Sequence, residues 1–155
     1  MELNREMIEL GNKNSLYKAM GIRIESLEEG MVKSRLEPKS EMCWPFPNQP
    51  HGGVLFTLMD TTMAWAVISN QEKAGSCTTI NLDIQYTQPA KATFFSCVAE
   101  VISQTRQVSF VKAVIHDPYG VVVSVGQGTY RIMQNRQLKP VLIAASNISR
   151  AGLDM

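Results

Sequence analysis

What is scarce in this sequence narrows its chemistry before any motif is considered. Cysteines number three in 155 residues, Cys43, Cys77 and Cys97, and the histidines are two, His51 and His116. A structural zinc site needs four such ligands at short spacing, with pairs such as CxxC, so no metal is expected. An odd, scattered set of thiols reads as free cysteines in a reducing cytosol and not as a disulfide framework. Charge of one sign is also missing. Fifteen basic against fourteen acidic residues leave a formal +1, which gives no footprint for nucleic acid or for an anionic membrane surface. The N-terminal stretch MELNREMIELGNK lacks the apolar run of a signal peptide, and the expectation is a cytoplasmic protein. There is no internal repeat and no low-complexity segment. The chain most simply makes one domain, 1–155, large enough to bury a core without staples.

What is present is one long apolar run, HGGVLFTLMDTTMAWAVIS, at 51–69. As a helix, 52–69 is about 27 Å long, at the short limit for a bilayer. An aspartate at its centre, Asp60, would be costly in lipid, so the helix is expected inside protein. Before it, residues 4–20 read as helical, with Gly11 and Asn12 as a point of division. GIRIESLEEGMVKSRLEP at 21–38 reads as a hairpin about a Glu-Glu-Gly turn. MCWPFPNQP at 42–50, with three prolines in six residues, cannot be regular structure. QEKAGS ends the helix, and everything after it alternates with period two. In TTINLDIQYTQP the spacing puts Thr78, Ile80, Leu82, Ile84 and Tyr86 on one face, and Thr79, Asn81, Asp83 and Gln85 on the other. FFSCVAEVISQT, VSFVKAVIHD and GVVVSVGQGTYRIM supply three further strands, with SQTR and DPYG as turns. The tail 138–155 has no assignable pattern. An antiparallel meander buries one face, and only the 52–69 helix can cover it. The fold class is therefore α+β, an antiparallel sheet of five to six strands wrapped around one long central helix.

The start of that helix carries chemistry. Gly52 and Gly53 open it, where the first backbone N–H groups have no intrahelical partner. Without side chains they let a ligand oxygen approach those donors, and the helix dipole adds to the attraction. These are the requirements of an oxyanion hole. His51, just outside, can orient the loop or a substrate. Asp60 has two readings. One is a structural carboxylate bonded to Thr57, Thr61 or a loop amide. The other is a general base or nucleophile in an apolar cleft. Eight residues of helix separate Gly52 from Asp60, about 12 Å, whereas base and oxyanion donors must both lie about 3 Å from one reacting group. If both act, the site is shared by two subunits whose central helices run side by side in opposite directions.

Smaller signals surround this pair. Trp44 and Phe46 either line the entrance of a ligand cleft or pack the proline loop down. Lys91 and Arg106, near strand ends, are candidates for phosphate contacts, against the alternative of solvated surface charge. Met59, Met63 and Trp65 read as core, and His116 as a turn residue.

HGG followed by an acidic residue nine positions after the histidine, and then TTINLDIQYTQPA, resembles the hotdog-fold thioesterases of the phenylacetate-degradation (PaaI-like) group, from about Gly21 to Met133. The resemblance implies hydrolysis of acyl-CoA, with CoA as part of the substrate and no cofactor, in homodimers often paired into tetramers. It implies that the Gly52 N–H polarises the thioester carbonyl. Asp60 of the partner chain then activates water or attacks directly, assisted by Thr79 or, failing that, Thr78. Such proteins often place Asn or Gln six residues before the histidine. Pro45 stands there in this chain, and Asn48 is the residue expected to take the role. FPNQPHGGVL also resembles the hotdog dehydratases acting on 3-hydroxyacyl thioesters, but Pro45 occupies the place of their histidine and Asp60 that of their usual Glu. A non-catalytic hotdog module that binds acyl thioesters is the reading from another class.

Overall fold

The computed structural model describes residues 2–71 and 75–133. The elements in order are α1 (Glu2–Gly11), α2 (Ser15–Met20), β1 (Ile22–Glu28), β2 (Met31–Leu36), a 3-10 turn (Ser40–Met42), α3 (Gly52–Ser69), β3 (Ser76–Tyr86), β4 (Phe95–Gln104), β5 (Val108–His116) and β6 (Val122–Met133). α3 is apolar on nearly every side because the sheet curls around it. Leu58, Met59, Met63, Ala66 and Val67 are completely buried against Val32, Leu36, Phe95, Val111 and Ile115 from the strands. A helix that satisfies its own backbone can sit in such a core, and its apolar surface drives the packing. One polar tie crosses it, between the buried hydroxyls of Ser34 on β2 and Thr62 on α3.

The sheet is six-stranded and antiparallel, in the order β1-β2-β4-β5-β6-β3. The final four strands are therefore not the simple meander expected from sequence. β4, β5 and β6 follow one another, but β3 pairs with β6 and β4 pairs with β2. Both connections around the helix cross the sheet. α3 carries the chain from β2 to the far edge, and residues 87–94 bring it back over the helix N-terminus, where the Ala92 N–H donates to the Asn48 carbonyl at 3.0 Å.

The N-terminal helix divides at the point marked by Gly11 and Asn12, and Asn12 supplies the reason. Its side-chain amide accepts from the Ile24 N–H (2.8 Å) and donates to the Ile24 carbonyl (3.0 Å), so it takes the place of a neighbouring strand along β1. Asn4 adds a donor to the Leu27 carbonyl at 2.9 Å. The β1 edge is thus covered, as exposed edges commonly are. Among the described residues nothing pairs with the outer edge of β3, which is eleven residues long. The C-terminal tail lies outside the described residues.

Close approach of α3 to β6 depends on Gly126 and Gly128. A Cβ at Gly126 would run into the Met59 sulfur and lie 2.6 Å from the Asp83 carbonyl oxygen; one at Gly128 would lie 2.9 Å from the Met63 sulfur. Two glycines at alternate positions leave a groove on the inner face, and the two methionines fill it.

Candidate active site

His51 is the N-cap of α3. With φ −56° and ψ 142° it stands outside the helix, and its Nδ1 accepts the Gly53 N–H at 2.9 Å. An imidazole nitrogen that accepts carries no proton, so any proton on the neutral ring is on Nε2. This engages one of the two glycine N–H groups expected to face a ligand. The Val54 N–H is also engaged, with the His51 carbonyl at 2.8 Å. Among the described residues the Gly52 N–H has no acceptor. The pair of donors expected from sequence is thus a single one at Gly52, and Gly53 serves the cap. Tyr86 closes the other side, its hydroxyl donating to the Gly52 carbonyl at 2.7 Å. A Cβ at residue 52 would touch the Tyr86 ring at 3.2 Å.

Asp60 lies two turns further along, half-buried, on the side of α3 that faces β3 and β6. Its partners are neither Thr57 nor Thr61. The Thr57 hydroxyl donates to the Gly53 carbonyl at 2.9 Å. Asp60 Oδ1 instead accepts from Thr79 Oγ1 and from Tyr130 Oη, both at 2.8 Å. Thr79 reaches it because β3 carries a bulge between Thr79 and Asn81. An extra residue reverses the inward–outward phase of a strand. Before the bulge Cys77 and Thr79 face the helix, and after it Leu82 and Ile84 do. The uninterrupted alternation expected for β3 therefore fails at its start: Thr78 and Ile80 are exposed, and Ile80 is left outside. Of the two threonines, Thr79 meets the carboxylate and Thr78 does not.

Tyr130 was not singled out by sequence reasoning, although its place in GQGTYRIM, in phase with Gly126 and Gly128, puts it on the inner face. It is completely buried. Burial, then the neighbouring Asp60 charge and the hydrogen bond to it, push the phenol strongly upward, so it stays protonated and donates. Cys77, whose thiol lies 3.6 Å from the Ala64 carbonyl, is raised to about 12 by burial and by Asp60. Cys97 is raised to about 12 by burial.

The proline loop stands beside the helix start. The Cys43–Pro50 bridge and the Trp44 N–H to Gln49 carbonyl bond (2.7 Å) tie it into a small hairpin. Trp44 and Phe46 project from it, 70% and 61% exposed, so they are not packing the loop down. A cleft of about 520 Å³ runs beside His51, lined by Met20, Met42, Trp44 and Val54 with Glu41 at its edge. Asn48 is exposed, with φ 59°, and its carbonyl, not its side chain, holds the Ala92 N–H. Lys91 sits over the Phe46 ring at 5.8 Å. Arg106 is in the β4–β5 turn, and Lys91 precedes β4. Ten residues of strand separate those two ends, about 33 Å. One chain therefore does not bring both cations to one phosphate group.

Residues 50–124, from the proline loop through α3 to the start of β6, match the family model of the thioesterase superfamily. Among solved structures, the conserved protein PA5202 of Pseudomonas aeruginosa is 28% identical, with 77% of this chain and 94% of that one covered at a TM-score of 0.72. The PaaI protein from the phenylacetic acid degradation operon of E. coli is 23% identical, covering 82% and 90% at a TM-score of 0.73. Thioesterase HI1161 of Haemophilus influenzae is 18% identical, covering 86% and 93% at a TM-score of 0.76. The helix wrapped by six strands is the hotdog fold, and residues 50–124, which include the HGG start, are similar to the thioesterase superfamily.

Proposed function

We propose that the protein hydrolyses acyl-CoA thioesters in the manner of the PaaI-like group, as a cytoplasmic homodimer that can pair into a tetramer, with each site shared between two subunits. One observation carries the reading. α3 offers a backbone donor at Gly52 that is unengaged among the described residues and a carboxylate at Asp60, about 12 Å apart along one helix. Neither alone can cleave a thioester, and both can serve one carbonyl when two copies of α3 run antiparallel. The sheet edges favour that arrangement. β1 is covered by Asn12 and Asn4, whereas β3, which carries Thr79 beside Asp60, has an open edge among the described residues. Joining two β3 edges sets the two α3 helices side by side.

In this reading the Gly52 N–H of one chain binds the thioester oxygen. Asp60 of the other takes a proton from water as the water oxygen bonds to the acyl carbon, or attacks that carbon itself. Negative charge gathers on the carbonyl oxygen, where the fixed donor and the helix dipole stabilise it. Collapse breaks the C–S bond. On the water route CoA leaves with the proton that Asp60 took. On the direct route it leaves as the thiolate, after which water cleaves the Asp60 acyl anhydride and its proton passes to the thiolate. The acyl group extends into the cleft beside Trp44 and Met20. Lys91, beside the exposed Phe46, suits the CoA phosphates, with Arg106 contributing only from another subunit.

The test is free-thiol release from a panel of short, long and aromatic acyl-CoA esters, with Asp60→Asn alongside. Turnover by the wild type and a loss of at least ~10²-fold in the variant support the reading. Equal rates refute it. Binding without turnover in both would assign the protein to the non-catalytic class.

A further inference from the structure

We propose that Tyr130 is a positioning residue for the reaction: with Thr79 it holds Oδ1 of Asp60 and leaves Oδ2 as the reacting oxygen. The proposal rests on the reading of Asp60 as the reacting carboxylate. The two donors approach the same atom, each at 2.8 Å. They are cross-strand partners, because Thr79 on β3 is registered opposite Tyr130 on β6. The bulge that follows Thr79 turns its hydroxyl inward at this one position. A carboxylate with one donor can still rotate and exchange its two oxygens. With two donors on one oxygen, rotation would break both bonds, and only Oδ2 remains for a substrate.

The tyrosine is placed for this and for little else. Its ring is completely buried, packed so close to Gly128 that a Cβ there would lie 2.7 Å from Cε2. A buried phenol needs some acceptor, and the Asp60 carbonyl, at 3.4 Å, is within reach. The hydroxyl nevertheless makes its short bond to the carboxylate. No cation competes: the ion pairs among the described residues involve Glu9, Glu25, Glu37 and Glu100, not Asp60. The other titratable group facing Asp60 is the Cys77 thiol, which burial keeps protonated. Two neutral donors therefore fix the carboxylate without cancelling its charge, as a base or nucleophile requires.

The experiment compares steady-state kinetics on one acyl-CoA ester for the wild type, Tyr130→Phe, Thr79→Ala, Thr79→Ser and Asp60→Asn. Hydrogen bonds to a charged acceptor correspond to about a ten- to hundredfold change. Tyr130→Phe keeps the ring and the core, so it should lower kcat by about that factor with KM nearly unchanged. Thr79→Ala should do the same, and Thr79→Ser should restore the wild-type rate. A purely structural tyrosine would not move kcat while stability and KM stay put. Wild-type kcat in Tyr130→Phe overturns the proposal, as does Thr79→Ser being as slow as Thr79→Ala. The second pair decides the matter if Tyr130→Phe does not fold. If Asp60→Asn is dead while Tyr130→Phe is normal, only the clamp fails. If Asp60→Asn turns over normally, the functional reading fails and the clamp with it.

Discussion

Replacing His51 by alanine and by asparagine separates a cap from a catalyst. In the structure the imidazole contributes one specific interaction, Nδ1 to the Gly53 N–H at 2.9 Å. Removing an N-cap acceptor costs about 0.5–2 kcal/mol. For a chain of this length that corresponds to roughly 2–4 °C in Tm for each kcal/mol. His51→Ala should therefore melt about 1–8 °C lower. It should also lose activity, because the helix start that aims the Gly52 N–H loosens and a second N–H becomes free to bind water. Asparagine caps helices at least as well as any residue, and its Oδ1 reaches the same N–H. His51→Asn should hold Tm near that of the wild type and retain turnover within about tenfold, a loss of one hydrogen bond's worth or less. The assays are thermal unfolding by circular dichroism and CoA release on one substrate. If His51→Asn is stable but loses a hundredfold or more in kcat, the imidazole takes part in the chemistry and the capping account is wrong.

Gly126→Ala should destabilise the fold by about 1–3 kcal/mol through overpacking, because the new methyl meets the Met59 sulfur and the Asp83 carbonyl; chemical denaturation reads this directly, and an unchanged midpoint would contradict the close fit of α3 on β6. A thiol reagent at pH 8 should modify Cys43 in the native protein and spare Cys77 and Cys97, whose thiols are pushed up to about 12. Between the ordinary thiol value of 9.0 and about 12, the folded state holds protons that the unfolded chain releases. The stabilisation is therefore complete below pH 9 and lost as pH rises towards 12, and Tm should fall through that window. Three thiols reacting at once in the native protein at pH 8 would refute the burial on which this rests.

Much of the architecture was legible in the sequence because it follows from composition over long windows. The 52–69 run could only be a buried helix, and α3 begins and ends at those residues. The 21–38 hairpin turns at the expected glycine. What escaped was set by tertiary contact. The bulge in β3 leaves no mark in TTINLDIQY, where alternation looks unbroken, yet it decides that Thr79 and not Thr78 meets Asp60. Tyr130 is 70 residues from Asp60, and only the pairing of β3 with β6, in place of the expected meander, brings them together. The glycine pair at 52 and 53 was visible as a donor site. Its division of labour was not, because the folding of His51 back onto Gly53 is a matter of one side-chain torsion.

If Asp60 of one chain works with Gly52 of another, mixed dimers reveal it. Asp60→Asn lacks the carboxylate; Gly52→Pro lacks the donor N–H. Proline is tolerated in the first turn of a helix, and the extended ψ of 142° at His51 suits a residue before proline. Because any Cβ at residue 52 meets the Tyr86 ring at 3.2 Å, Gly52→Ala, which keeps the N–H, controls for that contact. Each variant homodimer should be inactive, since every shared site lacks one component. A heterodimer, isolated with two different tags, contains one site with both lesions and one with neither, and should recover about half the wild-type activity. Heterodimers that form and remain inactive, while Gly52→Ala retains turnover, would contradict the shared site.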